Sequence, residues 1–472
     1  MRILSSEATG NKQWEKLSGN GDNYLFCLRQ TSLQLQLLGM DAQCLIPHAH
    51  ICRIPMLKHF SIMIAAAILW QFSSSLTLAQ SYDPQQADKF PPSPLEVTTP
   101  DPLLPPVGNK QPLSLPEKLR LQAALDGLNQ EAAAKLQAGD KEAAFAIWNR
   151  ELRLRRYVGA VDEVQALARV GEIAWNQSDR QQIFYITQRL QAIQKQAQPK
   201  NSKTQTNVDL QLWRALGQAY QNVRSLKPAI EVYNQILVAV RQQQDKTAEV
   251  DTLKTLGNLH LVWFNYPQAA ANYEELLTLA TSRGERQEEL TYLQQLAYIY
   301  QQSKQAQKSI DVLTRIKDIY SQDINSQAQL PTLQLAIATN YETLAKENTA
   351  LLPEAFKNYQ AAYTTAWQLQ QYARAAEALQ KLIPLYRSQG QLDAALETSK
   401  ILLETEARGA NYYGMMQAYD QIGKLSLENK DYPQALAAFK DGLELARQIK
   451  HQEAYFTQQV AKVSSMQGNE QK

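Results

Sequence analysis

Few side chains in this chain are spaced for covalent or metal chemistry. Its three cysteines, Cys27, Cys44 and Cys52, all precede Met56, and the 393 residues from Gln80 to Lys472 contain none. That body therefore offers neither a thiolate nucleophile nor a disulfide framework, and it has no thiols to mispair in an oxidising compartment. It holds two histidines, His260 and His451, far apart and without neighbouring ligand types. A zinc site or a Ser/His triad needs several such groups converging on one point. The carboxylate pairs Glu274-Glu275 and Glu288-Glu289 are adjacent on helices, so their side chains diverge by about 100° and read as solvated faces. No glycine-rich phosphate loop or nucleophile elbow occurs. The expectation is no catalytic residue, no metal and no cofactor, and hence a protein that is not an enzyme.

Charge narrows the partners. The chain has 48 Lys+Arg and 46 Asp+Glu, of which six and four lie in residues 1–79, leaving 42 of each beyond them. A neutral body without a basic block has no electrostatic footprint for nucleic acid.

The elements come in four blocks. Residues 1–55 lack a clean helical or strand period and read as an N-terminal extension, non-native or disordered, with translation starting at Met56. Residues 56–79 carry Lys58 and His59, the apolar run Ile62 to Trp70 and the small-residue exit Leu78-Ala79-Gln80. Charge, short apolar core and small-residue exit, in that order, describe a secretory signal peptide. The run is short of the roughly 18 to 20 residues of a membrane span, so no stable span is expected once the signal is cleaved; the alternative is an uncleaved anchor with residues 1–55 as a tail. Residues 80–116 include Pro84, Pro91, Pro92, Pro94, Pro100, Pro102, Pro105, Pro106, Pro112 and Pro116. Such a stretch is expected to be a disordered, extended linker without a core of its own. Residues 117–466 are helical in pattern, and 467–472 form a tail.

The helical block repeats. Trp213, Leu216, Gly217 and Tyr220, followed by Ala229 and Tyr233, give W-x2-L-G-x2-Y and then A-x3-aromatic, the pattern of a tetratricopeptide repeat. The phase recurs at Leu253, Leu256, Gly257, Ala269 and Tyr273; at Leu293, Leu296, Ala297, Tyr300 and Leu313; at Ile337, Ala338, Tyr341, Ala355 and Tyr359; at Leu379, Leu382, Tyr386 and Ala395; and at Tyr419, Ile422, Gly423, Ala435 and Phe439. Looser copies are Leu128, Ala132, Ala144 and Trp148, and Leu167, Val170, Gly171 and Ile183. Pro228, Pro267 and Pro433 fall just inside second helices, where a missing N–H is harmless. His260 falls where other copies have Tyr220 and Tyr300, which makes it a core residue between helices.

On these residues the chain resembles the tetratricopeptide repeat family, in the subclass with about 40-residue repeats, since Gly217, Gly257 and Ala297 are 40 apart. With the signal and the proline-rich lead it is similar to exported bacterial members, cyanobacterial ones included. The resemblance implies an all-α, right-handed superhelical solenoid of about eight antiparallel helix pairs, with Glu453 to Met466 as a C-terminal capping helix. It also implies a concave groove lined by first helices. Carried over position by position, the groove residues are Gln211, Arg214, Gln218 and Gln221; Asp251, Lys254 and Asn258; and Thr291, Gln294, Tyr298 and Gln301. Amide side chains both donate and accept, so such a wall can hydrogen-bond an extended peptide. Lys254 and Asn258 match the start of the carboxylate clamp of cochaperone repeats, but Gln295, Thr332 and Ala336 break the match. The function implied is an extracytoplasmic scaffold, in periplasm or thylakoid lumen, that binds a protein or peptide partner as an adaptor or assembly factor. A ligand-responsive regulator is the alternative, and a hydrolase with an unrecognised site is a third class.

Overall fold

A computed structural model describes residues 90–104, 113–198 and 209–470. The signal-peptide stretch, the extension before it and much of the junction at Gln198 to Thr206 lie outside the described residues. Seventeen α-helices follow one another: α1 Leu115–Gln137, α2 Lys141–Arg155, α3 Ala160–Asn176, α4 Arg180–Ala197, α5 Leu210–Asn222, α6 Leu226–Gln242, α7 Lys246–Val262, α8 Tyr266–Arg283, α9 Arg286–Gln302, α10 Ala306–Ser321, α11 Leu330–Ala345, α12 Leu352–Gln368, α13 Tyr372–Ser388, α14 Leu392–Arg408, α15 Tyr412–Glu428, α16 Tyr432–Gln448 and α17 Glu453–Glu470. No strand occurs among the described residues. Each helix packs on its chain neighbours, which makes eight pairs in tandem with α17 against the last. The expected all-α repeat solenoid is what the chain forms.

Local chemistry sets the boundaries. The side chains of Asp140, Asp179, Asp209, Asp245, Asn411 and Asp431 each accept a hydrogen bond from a backbone N–H in the first turn that follows, which satisfies donors a helix start leaves open. Pro267 and Pro433 sit in the first two positions of α8 and α16 as the spacing predicts. Pro228 lies one position deeper, third in α6. Most turns within pairs put a non-glycine residue in the left-handed region, among them Ser178, Arg224, Phe264, Lys304 and Lys430. The next N–H then reaches back into the helix, as Ser225 to the Tyr220 carbonyl and Asn265 to the His260 carbonyl, both at 2.8 Å, the six-to-one bond of a Schellman cap.

Small residues let paired helices approach. A methyl group on Gly217 would lie 2.8 Å from the Tyr233 ring, one on Gly257 2.7 Å from Tyr273, and one on Gly423 2.7 Å from Phe439. Trp148, Trp213, Tyr220, Tyr359 and Phe439 are fully buried between helices. At the C-terminal end, Phe456 and Val463 of α17 are also fully buried, against a cluster containing Phe439 and Ala446. Helix α17 therefore covers an apolar end as the sequence suggests, and it runs to Glu470, past the boundary expected at 466.

Two features depart from a uniform array. Helix α3 packs directly and extensively on α5, while α4 touches α5 only lightly. The proline-rich lead is the second: within the stretch expected to be a free spacer, Pro94–Glu96 forms a 3-10 turn with Leu95 buried at 1% exposure. Arg153 donates to the Pro94 carbonyl and Arg156 to that of Leu95. Proline removes a donor but leaves an acceptor, and arginines at the C-terminal end of α2 supply the missing donors. Composition alone carried no sign of those arginines.

Candidate functional site

The nominated groove residues stand on α5, α7 and α9, the first helices of the third, fourth and fifth pairs. Their side chains divide into two groups. Gln221, Asn258 and Gln294 are engaged by tyrosines, Gln221 and Gln294 half-buried and Asn258 exposed: Gln221 Nε2 donates to the Tyr233 hydroxyl at 2.8 Å, the Tyr273 hydroxyl donates to Asn258 Oδ1 at 2.7 Å, and Gln294 Nε2 donates to the Tyr320 hydroxyl at 2.9 Å. Each is an amide of a first helix satisfying a tyrosine of the second helix in its own pair. Burial pushes the Tyr273 hydroxyl up to about 12, with nearby Tyr292 adding to the effect. Tyr233 and Tyr320 are also raised by burial, and the donated amide bond works against it.

Arg214, Gln218, Lys254, Tyr298 and Gln301 form the other group. Arg214 is exposed and makes no ion pair among the described residues. Gln218 Nε2 donates to Asn222 Oδ1 at 2.8 Å, and Asn222 reaches across to the Ala168 carbonyl and to Glu172 on α3, both at 3.3 Å. The Lys254 ammonium sits 5.7 Å above the Tyr292 ring of the next pair, a cation over an aromatic face. Tyr298 is half-buried beside Tyr266, whose hydroxyl is pushed up first by burial and then by Tyr298. Gln301 is exposed.

Two clefts meet at Arg214. The first, of ≈ 480 Å³, lies between α3 and α5 and is lined by Gln165, Arg169, Glu172, Arg214 and Gln218 among others. The second, of ≈ 470 Å³, lies between α5, α6 and α7, with Arg214, Gln218, Tyr233, Asp245, Asp251 and Thr255 in its wall. Arg169 is held in place by the buried carboxylate of Glu151, at 2.8 and 2.9 Å, whereas Arg214, which lines both clefts, has no ion pair among the described residues.

The contribution of α3 was not anticipated, although the signal was present. Setting Gly171 in phase with Gly217 places Gln165 and Glu172 where Gln211 and Gln218 stand. His260 is buried at 9% exposure with Nδ1 unpartnered, and burial holds its pKa below the ordinary value; it is a core residue, as its position implies. Among the described residues no group of three or more His, Cys, Asp or Glu could hold a metal ion, and no helix is long and apolar enough to cross a membrane.

No model of a known protein family matches the sequence, and no curated protein does so. Solved structures are similar in part. Aspartyl phosphate phosphatase F from Bacillus subtilis is 15% identical, over 64% of this chain and 79% of that one, with a TM-score of 0.33. A Podospora anserina kinesin light chain protein with nearly identical TPR-like repeats is 16% identical, over 44% and 98%, at 0.29. A signal transduction ATPase with a tetratricopeptide repeat sensor from Pyrococcus horikoshii is 15% identical, over 74% and 52%, at 0.34. Likeness at this level assigns neither a partner nor an activity. The packing of its own helix pairs, with glycine set against aromatic at the repeated position, gives this chain an all-α helical-repeat fold of the tetratricopeptide-like kind.

Proposed function

We propose that the protein is an adaptor or assembly factor that works outside the cytoplasm and holds an extended segment of a partner protein along its first-helix wall. The observation that carries this reading is Arg214, an exposed cation without an ion partner among the described residues, standing where two clefts on α3, α5 and α7 meet. Gln218, Lys254, Tyr298 and Gln301 continue the wall with donors, acceptors and an aromatic face. An extended polypeptide presents backbone carbonyls and N–H groups at regular intervals, and such groups match amides and an arginine fork better than they match an apolar pocket.

The test replaces Arg214, Lys254 and Tyr298 together by alanine and measures co-purification of partners from an extracytoplasmic extract of the native host. Binding should be lost while helicity is kept, since Arg214 is exposed, Lys254 and Tyr298 are half-buried rather than core, and in a repeat array any cost stays near the altered pairs. A control set, Gln235, Thr278 and Gln307 on the second helices, should leave binding intact. The opposite pattern would transfer the working surface to the second helices. The compartment is tested by the intact mass of the host's own protein, which should begin at or near Gln80.

A further inference from the structure

A second group of arginines stands on and just after α2 and on α4, the second helices of the first two pairs. Arg150 and Arg153 on α2 and Arg156 just past its end recur every three residues, and Arg189 joins them from α4, the second helix of the next pair. Arg150 grips Asp101 with a two-point bond, Nε to Oδ2 at 2.7 Å and an Nη to Oδ1 at 2.9 Å. Arg153 donates to the Pro94 carbonyl at 3.0 Å and Arg156 to the Leu95 carbonyl at 2.6 Å. Glu96 lies 3.8 Å from Arg156 and 3.7 Å from Arg189. Leu95 supplies the buried apolar anchor, at 1% exposure. Two backbone carbonyls, two carboxylates five residues apart and one leucine are the recognition elements of an extended peptide, and fork-shaped arginines suit carboxylates and carbonyls alike.

The surface extends beyond the segment seated on it. A cleft of ≈ 580 Å³ opens between α2 and α4 next to Pro94, lined by Lys141, Phe145, Asn149, Arg153, Asp179 and Gln182 among others. Asn149 is 7% exposed, and its Oδ1 has no hydrogen-bond partner; Gln182 Oε1, in the same wall, is buried and unpartnered too. A buried acceptor without a donor costs free energy, and two of them beside one cleft call for donors such as peptide N–H groups.

We propose that the face formed by α2 and α4 is a docking site for an extended acidic peptide with a Pro-Leu-Glu core and an aspartate five residues after the glutamate, and that residues 94–104 occupy it in cis as a built-in competitor. A resident segment lowers the apparent affinity for an incoming one by the fraction of time the site is open.

The test uses the full chain and a fluorescent synthetic peptide with the sequence of residues 94–104, PLEVTTPDPLL. Leu95→Asp with Asp101→Asn in the full chain loosens the resident segment, so the peptide should bind this variant at least about tenfold more tightly than the unaltered chain. Adding Arg150→Ala to the loosened chain should remove most of that binding, and a scrambled peptide should not bind. Asp101→Asn alone keeps the leucine anchor and should give an intermediate gain, which keeps the test readable if the double variant does not fold. Equal weak binding to all chains, or binding that survives Arg150→Ala, overturns the proposal. Dimerisation of the loosened chain without peptide binding overturns it as well, since the segment would then be a link between copies.

Discussion

Gly217 and Tyr233 are so close that a single added methyl group would stand 2.8 Å from two ring carbons and 3.2 Å from the hydroxyl oxygen. The same contact recurs at Gly257 with Tyr273 and at Gly423 with Phe439, so the array sets its pair spacing by omitting a side chain. Gly217→Ala gains about 0.5 to 1 kcal/mol of helix propensity. It also forces the Tyr233 ring aside and disturbs the bond from Gln221, an overpacking cost of roughly 1 to 3 kcal/mol. The net expectation is destabilisation, and Gly217→Trp should be worse. Because repeats touch chiefly their neighbours, hydrogen exchange should speed up in α5, α6 and the helices beside them while α13 to α16 keep their protection. Uniform loss of protection would show one indivisible core.

Asn258 and Lys254 sit one turn apart on α7 and should respond differently to alanine. Asn258→Ala leaves the Tyr273 hydroxyl without its acceptor, at a cost of about 1 kcal/mol or more because the tyrosine is buried. Lys254→Ala should change stability by less than about 0.5 kcal/mol. Adding Tyr273→Phe to Asn258→Ala removes the orphaned hydroxyl and should recover part of the loss. A denaturation double-mutant cycle checks this, and strict additivity would refute the bracing role.

His260 gives the array a definite response to acid. Burial holds its folded pKa below the ordinary value near 6.5, so between the two values the unfolded chain binds the extra proton. Its contribution to stability is intact above about pH 6.5 and is lost as the pH falls below that. The denaturation midpoint should drop from pH 7.5 to 5.5 more steeply for the unaltered chain than for His260→Tyr, the residue found at the matching positions 220 and 300. Parallel curves would contradict the assignment.

Glu406 runs the other way. It is buried at 4% exposure, faces the amides of Gln380 and Asn411, and makes no ion pair among the described residues. Burial raises its pKa, against the two amide bonds. A raised carboxyl binds its proton more readily in the folded state, so stability around α13 to α15 should grow as the pH falls toward the ordinary carboxylate range. Glu406→Gln should flatten that local trend in pH-dependent hydrogen exchange.

Much of the fold was legible because it rests on periodicity and small residues. Gly217, Ala269 and Tyr233 mark a close helix contact in any phase-aligned reading, and aspartates such as Asp245 mark helix starts. The groove was less legible. A position that points toward the wall in the repeat can be captured by a tyrosine of the second helix, and Gln221, Asn258 and Gln294 are captured in this way across 12, 15 and 26 residues. Those spacings differ, so no single offset announces the pairing. The seating of residues 94–104 was hidden for another reason: its donors lie 49 to 61 residues away on α2 and at its end, and a proline-rich composition says nothing of a distant arginine ladder.

The direct packing of α3 on α5, with the lightly bound α4 set aside from it, bears on how the chain is assembled during synthesis. Contacts between chain neighbours can form as each helix emerges, and short-range contacts favour rapid folding. The α3–α5 seam must instead wait for the ribosome to deliver α5, and the strap at Pro94 and Glu96 must wait for Arg153 and Arg189. The first described segment to be made is thus among the later ones to settle. From the emergence of Arg156 until α4 supplies Arg189, Glu96 has a cation on one side only, so the strap closes in two steps.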